Sequence, residues 1–128
     1  MDGKAVAVQR ATSMDTYITD NFPNATIKRY GTADEAYLDL KSGRVDYVMA
    51  DSAAISDGLL KKEGGDAFEF VGPKLTDPKW FGEGAGIAVR KADKDLKEKF
   101  NAAILALRAN GKYKEINDKY FDFDVYGE

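Results

Sequence analysis

Gly43-Arg44-Val45-Asp46-Tyr47-Val48-Met49-Ala50-Asp51-Ser52 is the stretch that decides the fold. Val45, Tyr47, Val48 and Met49 make a short run of strand-favouring side chains, opened by the Ser42-Gly43 turn, and predict a buried strand. A carboxylate, Asp51, follows where the strand stops and a helix begins. In open α/β sheets, ligands bind in the crevice beyond the carboxyl ends of the strands. An acid placed there can meet a cationic group, a metal ion or a phosphoryl donor. It can equally serve as a helix N-cap, accepting from the first free N–H groups.

Outward from this stretch, strand and helix signals alternate. Ala5-Val6-Ala7-Val8 reads as a buried first strand. Thr12-Ser13, followed by Asp15, Tyr17 and Ile18, predicts a helix with a hydroxyl cap, ended by Phe22-Pro23-Asn24. Ala25-Thr26-Ile27-Lys28-Arg29-Tyr30 alternates as a second strand. Thr32 and Glu35 have capping-box spacing at the head of a second helix, whose apolar surface comes from Ala36, Leu38 and Leu40 with Tyr37 nearby. Beyond Asp51, residues 53–62 predict a third helix, with Gly64-Gly65 past its end. Phe68-Glu69-Phe70-Val71 and Gly86-Ile87-Ala88-Val89 predict two more strands, separated by a loop carrying Pro73, Pro78, Trp80 and Phe81. The alternation implies βαβ crossovers and a mostly parallel sheet with flanking helices.

After Lys91 the texture changes. Leu96, Phe100, Ala103, Ile104 and Leu107 fall on one stripe at helical spacing, stopped by Asn110-Gly111. Tyr113, Ile116 and Tyr120 mark a second, shorter helix. The predicted organisation is therefore an α/β lobe over residues 1–91 and a helical segment over 92–128. Two helices with no strand after them need an apolar partner.

Composition narrows the function. The chain has 128 residues, enough for a domain with a real core, and a net charge of −3, which argues against a nucleic-acid partner. It contains neither cysteine nor histidine. That removes disulfides, thiolate metal sites, the commonest metal ligand and the commonest general base. No stretch is long and apolar enough to span a membrane, and no signal peptide is visible before the first strand. No nucleophile elbow, Walker lysine or zinc spacing is present. Gly82-Glu83-Gly84-Ala85-Gly86 precedes a predicted strand instead of opening a helix, so it reads as packed or hinge-like backbone and not as a phosphate loop. Trp80-Phe81 reads as packing in preference to a ligand platform. Thr12-Ser13 at a helix start suits a carboxylate or phosphate, and is also what an ordinary cap looks like.

Several segments together resemble the periplasmic solute-binding proteins of polar amino-acid ABC transporters, in particular the lysine/arginine/ornithine- and histidine-binding group. They are Asp2-Gly3-Lys4-Ala5-Val6-Ala7-Val8-Gln9, Asp39-Leu40-Lys41-Ser42-Gly43-Arg44-Val45-Asp46 with Asp51, and Trp80 through Lys91. Leu107 through Tyr113 and Lys119 through Gly127 complete the set. The resemblance implies the second lobe of a two-lobed protein, the return crossover, and two helices that normally pack on a first lobe that the chain does not contain. It implies that Asp51 takes a ligand's α-ammonium group and that Thr12 and Ser13 meet its α-carboxylate, with Gln9 and Met14 lining the site. It implies a basic or polar amino acid as ligand, a membrane permease as partner of the full-length parent, a periplasmic location, no cofactor and no catalysis. The chain departs from the family pattern at Arg10-Ala11, where a small or polar residue and then glycine are common. It departs again at Ser13 and Met14, in place of Thr and Gln.

Three expectations follow. The chain by itself binds arginine, lysine or histidine weakly or not at all, since half the contacts belong to another lobe. The exposed apolar stripes of helices 95–109 and 112–121 favour a homodimer, with the Gly82–Gly86 stretch as a hinge for swapping them. The rival reading from another class is a receiver-like phospho-acceptor domain using Asp51. Gln9 and Arg10 stand where that class needs an acidic pair for Mg²⁺.

Overall fold

Val6, Ala7 and Val8 are all fully buried, and their alternation builds the fold. In a strand, successive side chains point to opposite faces. Val6 and Val8 face one way, packing on Ile18 with Ile27, Tyr47 and Met49 beside them. Ala7 faces the other way, against Ala36 and Val45 with Leu40 and Val48. One strand thus carries two apolar clusters, one on each side of a sheet. The computed structural model describes residues 1–126.

That strand, β1 (Ala5–Gln9), is central. β2 (Thr26–Tyr30) and β3 (Tyr47–Met49) flank it, both parallel to it, in the order β2-β1-β3. Register pairs Val8 with Arg29 on one side and with Met49 on the other. α1 (Ser13–Asn21) links β1 to β2 and supplies Ile18 to the first cluster. α2 (Ala33–Lys41) links β2 to β3 and supplies Ala36 to the second. The expected capping box holds: the Thr32 hydroxyl accepts from the Glu35 N–H, and Glu35 accepts from the Thr32 N–H at 3.0 Å. Asp46 locks β3 to the start of β1. Its carboxylate accepts the Ala5 N–H at 2.8 Å and pairs with Lys4 Nζ at 3.1 Å, while its own N–H donates to the Ala5 carbonyl.

β3 is shorter than predicted, because Val45 is buried but lies outside the paired residues. The third helix divides into α3 (Ser52–Ile55) and a π-helical turn, Ser56–Leu60. Two predicted strands are absent among the described residues. Phe68–Val71 follows a single 3₁₀ turn, Gly65–Ala67, and pairs with no strand, as does Gly86–Val89. Phe70, Val71 and Ile87 are at least half exposed. Strand propensity describes how a side chain fits a half-buried pleated surface, and these segments have no such surface. The loop expected at 72–82 contains a short helix, α4 (Pro78–Phe81), with Pro78 in its first turn and Asp77 as cap. Trp80 and Phe81 pack on Tyr17 of α1, at ring-centroid distances of 5.8 and 5.2 Å.

The chain divides into two compact units, Met1–Gly84 and the remainder from Ala85. The division falls within the glycine-rich stretch, where Gly82 and Gly84 both have positive φ. The second unit contains α5 (Lys94–Ala109) and α6 (Lys112–Asn117), joined at Gly111 in the left-handed conformation. The Asn117 side chain ties down the following tail, donating to the Phe123 carbonyl at 2.8 Å and accepting from the Val125 N–H at 3.1 Å. α5 buries none of its residues within the chain, and Leu96, Phe100, Leu105 and Leu107 remain exposed.

Candidate functional site

The strand order creates a switch point. β1 runs into α1, on the Val6/Val8 face, whereas α2 lies on the Ala7 face. β3 runs into α3 and the π-helical turn, which packs beside α2. Val8 is paired with Met49, so the segments leaving β1 and β3 start side by side and then diverge. A crevice opens where neighbouring parallel strands send their connections to opposite faces. Gln9 ends β1, Thr12, Ser13 and Met14 open α1 beyond it, and Asp51 follows β3 as the cap of α3.

Asp51 caps α3. Its Oδ1 accepts from the N–H groups of Ala53 and Ala54 at 2.9 and 3.3 Å. The residue is exposed, and the cap engages only this oxygen. Capping fixes the carboxylate's orientation while leaving Oδ2 available for a cation, so the two readings of Asp51 are compatible.

Thr12 caps α1. Its hydroxyl donates to the Gln9 carbonyl at 2.8 Å and accepts from the Asp15 N–H at 3.3 Å, so the side chain is spent on its own backbone. Ser13 and Met14 occupy the first two helical positions, whose N–H groups have no intrahelical acceptor. The Ser13 hydroxyl is exposed and donates only to the Met14 sulfur, at 3.2 Å, a weak acceptor that a carboxylate would displace. What α1 offers an anion is therefore backbone N–H and Ser13. Asp15, in the same first turn, would repel an anion, but Arg29 Nε holds its Oδ1 at 2.8 Å and the Ala11 N–H donates to its Oδ2 at 3.2 Å. Gln9 turns away from Asp51, its Nε2 donating to the Gly31 carbonyl at 3.4 Å. Arg10 turns the same way, its Nε donating to the Tyr30 carbonyl at 3.4 Å. Ala11 has φ 60°, the left-handed region that favours glycine.

One buried polar group of α2 was not singled out in the sequence. Tyr37 is only 4% exposed, and its hydroxyl is buried with no hydrogen-bond partner among the described residues. Such a group costs about 1–3 kcal/mol. Burial raises its pKa first of all, and the charges of Asp34 and Asp51 raise it further. Its ring lies against Gly58, where an added Cβ would stand 2.7 Å from Cε2. An aromatic in mid-helix ordinarily signals core packing, which is why the pattern gave no warning.

The profile of the bacterial extracellular solute-binding proteins, family 3, matches residues 23–123. The chain belongs to that family. It is 54% identical to an L-arginine-binding protein of Pseudomonas aeruginosa, over 99% of its own length and 50% of the relative's. It is 40% identical to a histidine-binding periplasmic protein of Escherichia coli, with the same coverage. It is 37% identical to a lysine/arginine/ornithine-binding periplasmic protein of that species, over its whole length and 50% of the relative's. Among solved structures it resembles a Salmonella typhimurium periplasmic binding protein described for high arginine specificity. The TM-score is 0.70 at 32% identity, covering 94% of this chain and 52% of that one. The chain thus spans about half the length of the curated relatives it matches. The fold is the periplasmic-binding-protein type of α/β lobe, and its family is one of solute-binding proteins and not of enzymes. Nothing in these likenesses supports the receiver-like alternative.

Proposed function

We propose that this chain is the α-amino-acid-contacting lobe of a basic amino-acid-binding protein that works in the periplasm and delivers its ligand to the permease of an ABC importer. The observation that carries the reading is that β1 and β3 are parallel neighbours in register, so the segments that leave them start side by side. The spare Oδ2 of Asp51 stands at the end of β3, and the unsatisfied N–H groups of α1 with the Ser13 hydroxyl stand at the end of β1. A zwitterion spans that pair, with its ammonium on Asp51 and its carboxylate on the helix start. The names of the relatives support arginine, lysine or histidine as the ligand class.

Charge-assisted hydrogen bonds contribute about 1.5–3 kcal/mol each. Two of them, both open to water here, give an affinity of order 1 mM. Titration of the chain with L-arginine, followed by amide NMR, should shift the signals of Ser13, Met14, Ala53 and Ala54. Asp51→Asn should abolish this binding while keeping the cap, because Asn and Asp cap about equally well. Unchanged binding in that variant would refute the ammonium assignment. Micromolar affinity by calorimetry would refute the half-site reading.

The uncovered apolar residues of α5 support a second proposal about assembly: two copies of this chain associate through this stripe, with Gly82–Gly86 as the hinge for exchange. Light scattering should give a dimer at high concentration, and a monomer throughout would refute it.

A further inference from the structure

We propose that Arg29 and Asp15 together set the charge at the carboxylate end of the site. Arg29, reaching α1 from β2, cancels the Asp15 carboxylate in the first turn of α1 and so keeps that helix start able to receive a ligand's carboxylate. This rests on the carboxylate assignment given above.

The strand pattern places Arg29. Ile27 packs on the Val6/Val8 face, where α1 lies, and Arg29, two residues on, shares that face. Register sets it beside Val8. Its Nε donates to Asp15 Oδ1 at 2.8 Å, and its Nη2 donates to the Thr19 hydroxyl, one turn further along α1, at 2.8 Å. Two α1 side chains thus fix the plane of one guanidinium. Asp15 is held on its other side as well, since Oδ2 accepts the Ala11 N–H at 3.2 Å in the left-handed turn. Its side chain is only 13% exposed. An acid in the first turn suits the helix dipole, but the same charge opposes a second anion at that helix end. Asp15 is tied on both oxygens and cannot swing away to relieve the repulsion, so the relief comes from a counter-charge. Lys28, the other cation of β2, points to the opposite face and donates to the Arg44 carbonyl at 2.8 Å. Removing the charge of Arg29 therefore leaves an anion beside the ligand's carboxylate, and removing that of Asp15 leaves a cation there. The two changes act in opposite directions, whereas a pair that only braced the fold would weaken binding in both.

The test is titration with L-arginine, followed on the Ser13, Met14, Ala53 and Ala54 amides, of the parent chain, Arg29→Gln, Asp15→Asn and the double variant. Asparagine keeps an oxygen for the Ala11 N–H, so the turn is retained. L-arginine should bind about threefold more weakly to Arg29→Gln and about threefold more tightly to Asp15→Asn, as for a unit charge about one helical turn away in a solvent-like medium. The double variant should bind like the parent, and high salt should shrink both differences. Affinity in Asp15→Asn equal to or weaker than the parent's overturns the proposal and leaves the site reading standing. So does tighter binding in Arg29→Gln, which is what a general effect of protein charge on the net-positive ligand would give. If none of these amides moves in the parent, the site reading and this proposal fall together. Should Arg29→Gln fail to fold, the sign of the change in Asp15→Asn decides alone.

Discussion

Ala11→Gly should stabilise the first unit, and the size of the effect can be worked from one dihedral angle. Ala11 sits at φ 60°, between the end of β1 and the cap of α1. For a residue with a Cβ the left-handed conformation costs about 1–2 kcal/mol. Replacing alanine by glycine loosens the unfolded chain and returns about 0.4–1 kcal/mol of that. The side chain is exposed, so no burial is lost, and the N–H that donates to Asp15 Oδ2 is kept. The net is a gain of about 0.8 kcal/mol, or roughly 3–6 °C in midpoint for a unit of this size. Trp80 is the only tryptophan and packs edge-on against Tyr17, so its fluorescence during urea unfolding reports the unit that holds the crevice. Leu38→Gly is the control. Leu38 is 62% exposed in the middle of α2, and glycine there should cost about 1 kcal/mol. Opposite signs for the two variants are the expected result. A midpoint that falls in Ala11→Gly as it does in the control would refute the left-handed assignment at the approach to the site.

Two further changes test the frame around the crevice. Gly58→Ala should destabilise by about 1–3 kcal/mol, since the new methyl stands 2.7 Å from the Tyr37 ring, and the same Trp80-monitored unfolding measures it. Asp46 should make the unit acid-sensitive: its carboxyl is held below the usual range by the Ala5 N–H and then by Lys4, so its contribution is complete above the ordinary carboxylate pKa and is lost as pH falls through the depressed one. Asp46→Asn should therefore flatten the fall in urea midpoint between about pH 5 and pH 2, and an unchanged slope would refute the clamp.

The parts of the fold that were legible in the sequence are those in which local pattern and packing agree. Val6-Ala7-Val8 reads as a strand because each of its residues is buried, and Thr32 with Glu35 reads as a helix start because both partners of the capping box lie within one turn. Phe68–Val71 and Gly86–Val89 have the same residue types but remain unpaired. Their apolar character says that they suit a pleated surface and nothing about whether one is at hand. The π-helical turn at Ser56–Leu60 was not legible either, and neither was the contact inside it, where Gly58 lies against the Tyr37 ring of another helix.

The site separates along the same line. Asp51 and Thr12-Ser13 could be marked because a polar residue ending an apolar run is visible in one dimension. That they begin side by side is a property of register, set by Val8 meeting Met49, and no local signal encodes it. The structure also redistributes the work among them. Thr12 spends its hydroxyl on Gln9 and Asp15, so its part is to cap the helix, and the proposed carboxylate contact falls to Ser13 and the backbone. Asp51 spends one oxygen on α3 and keeps the other. A cap is usually set against a ligand contact as the plainer explanation. In the proposed reading the cap favours the contact, because a carboxylate already ordered by two N–H groups loses little freedom when a cation arrives.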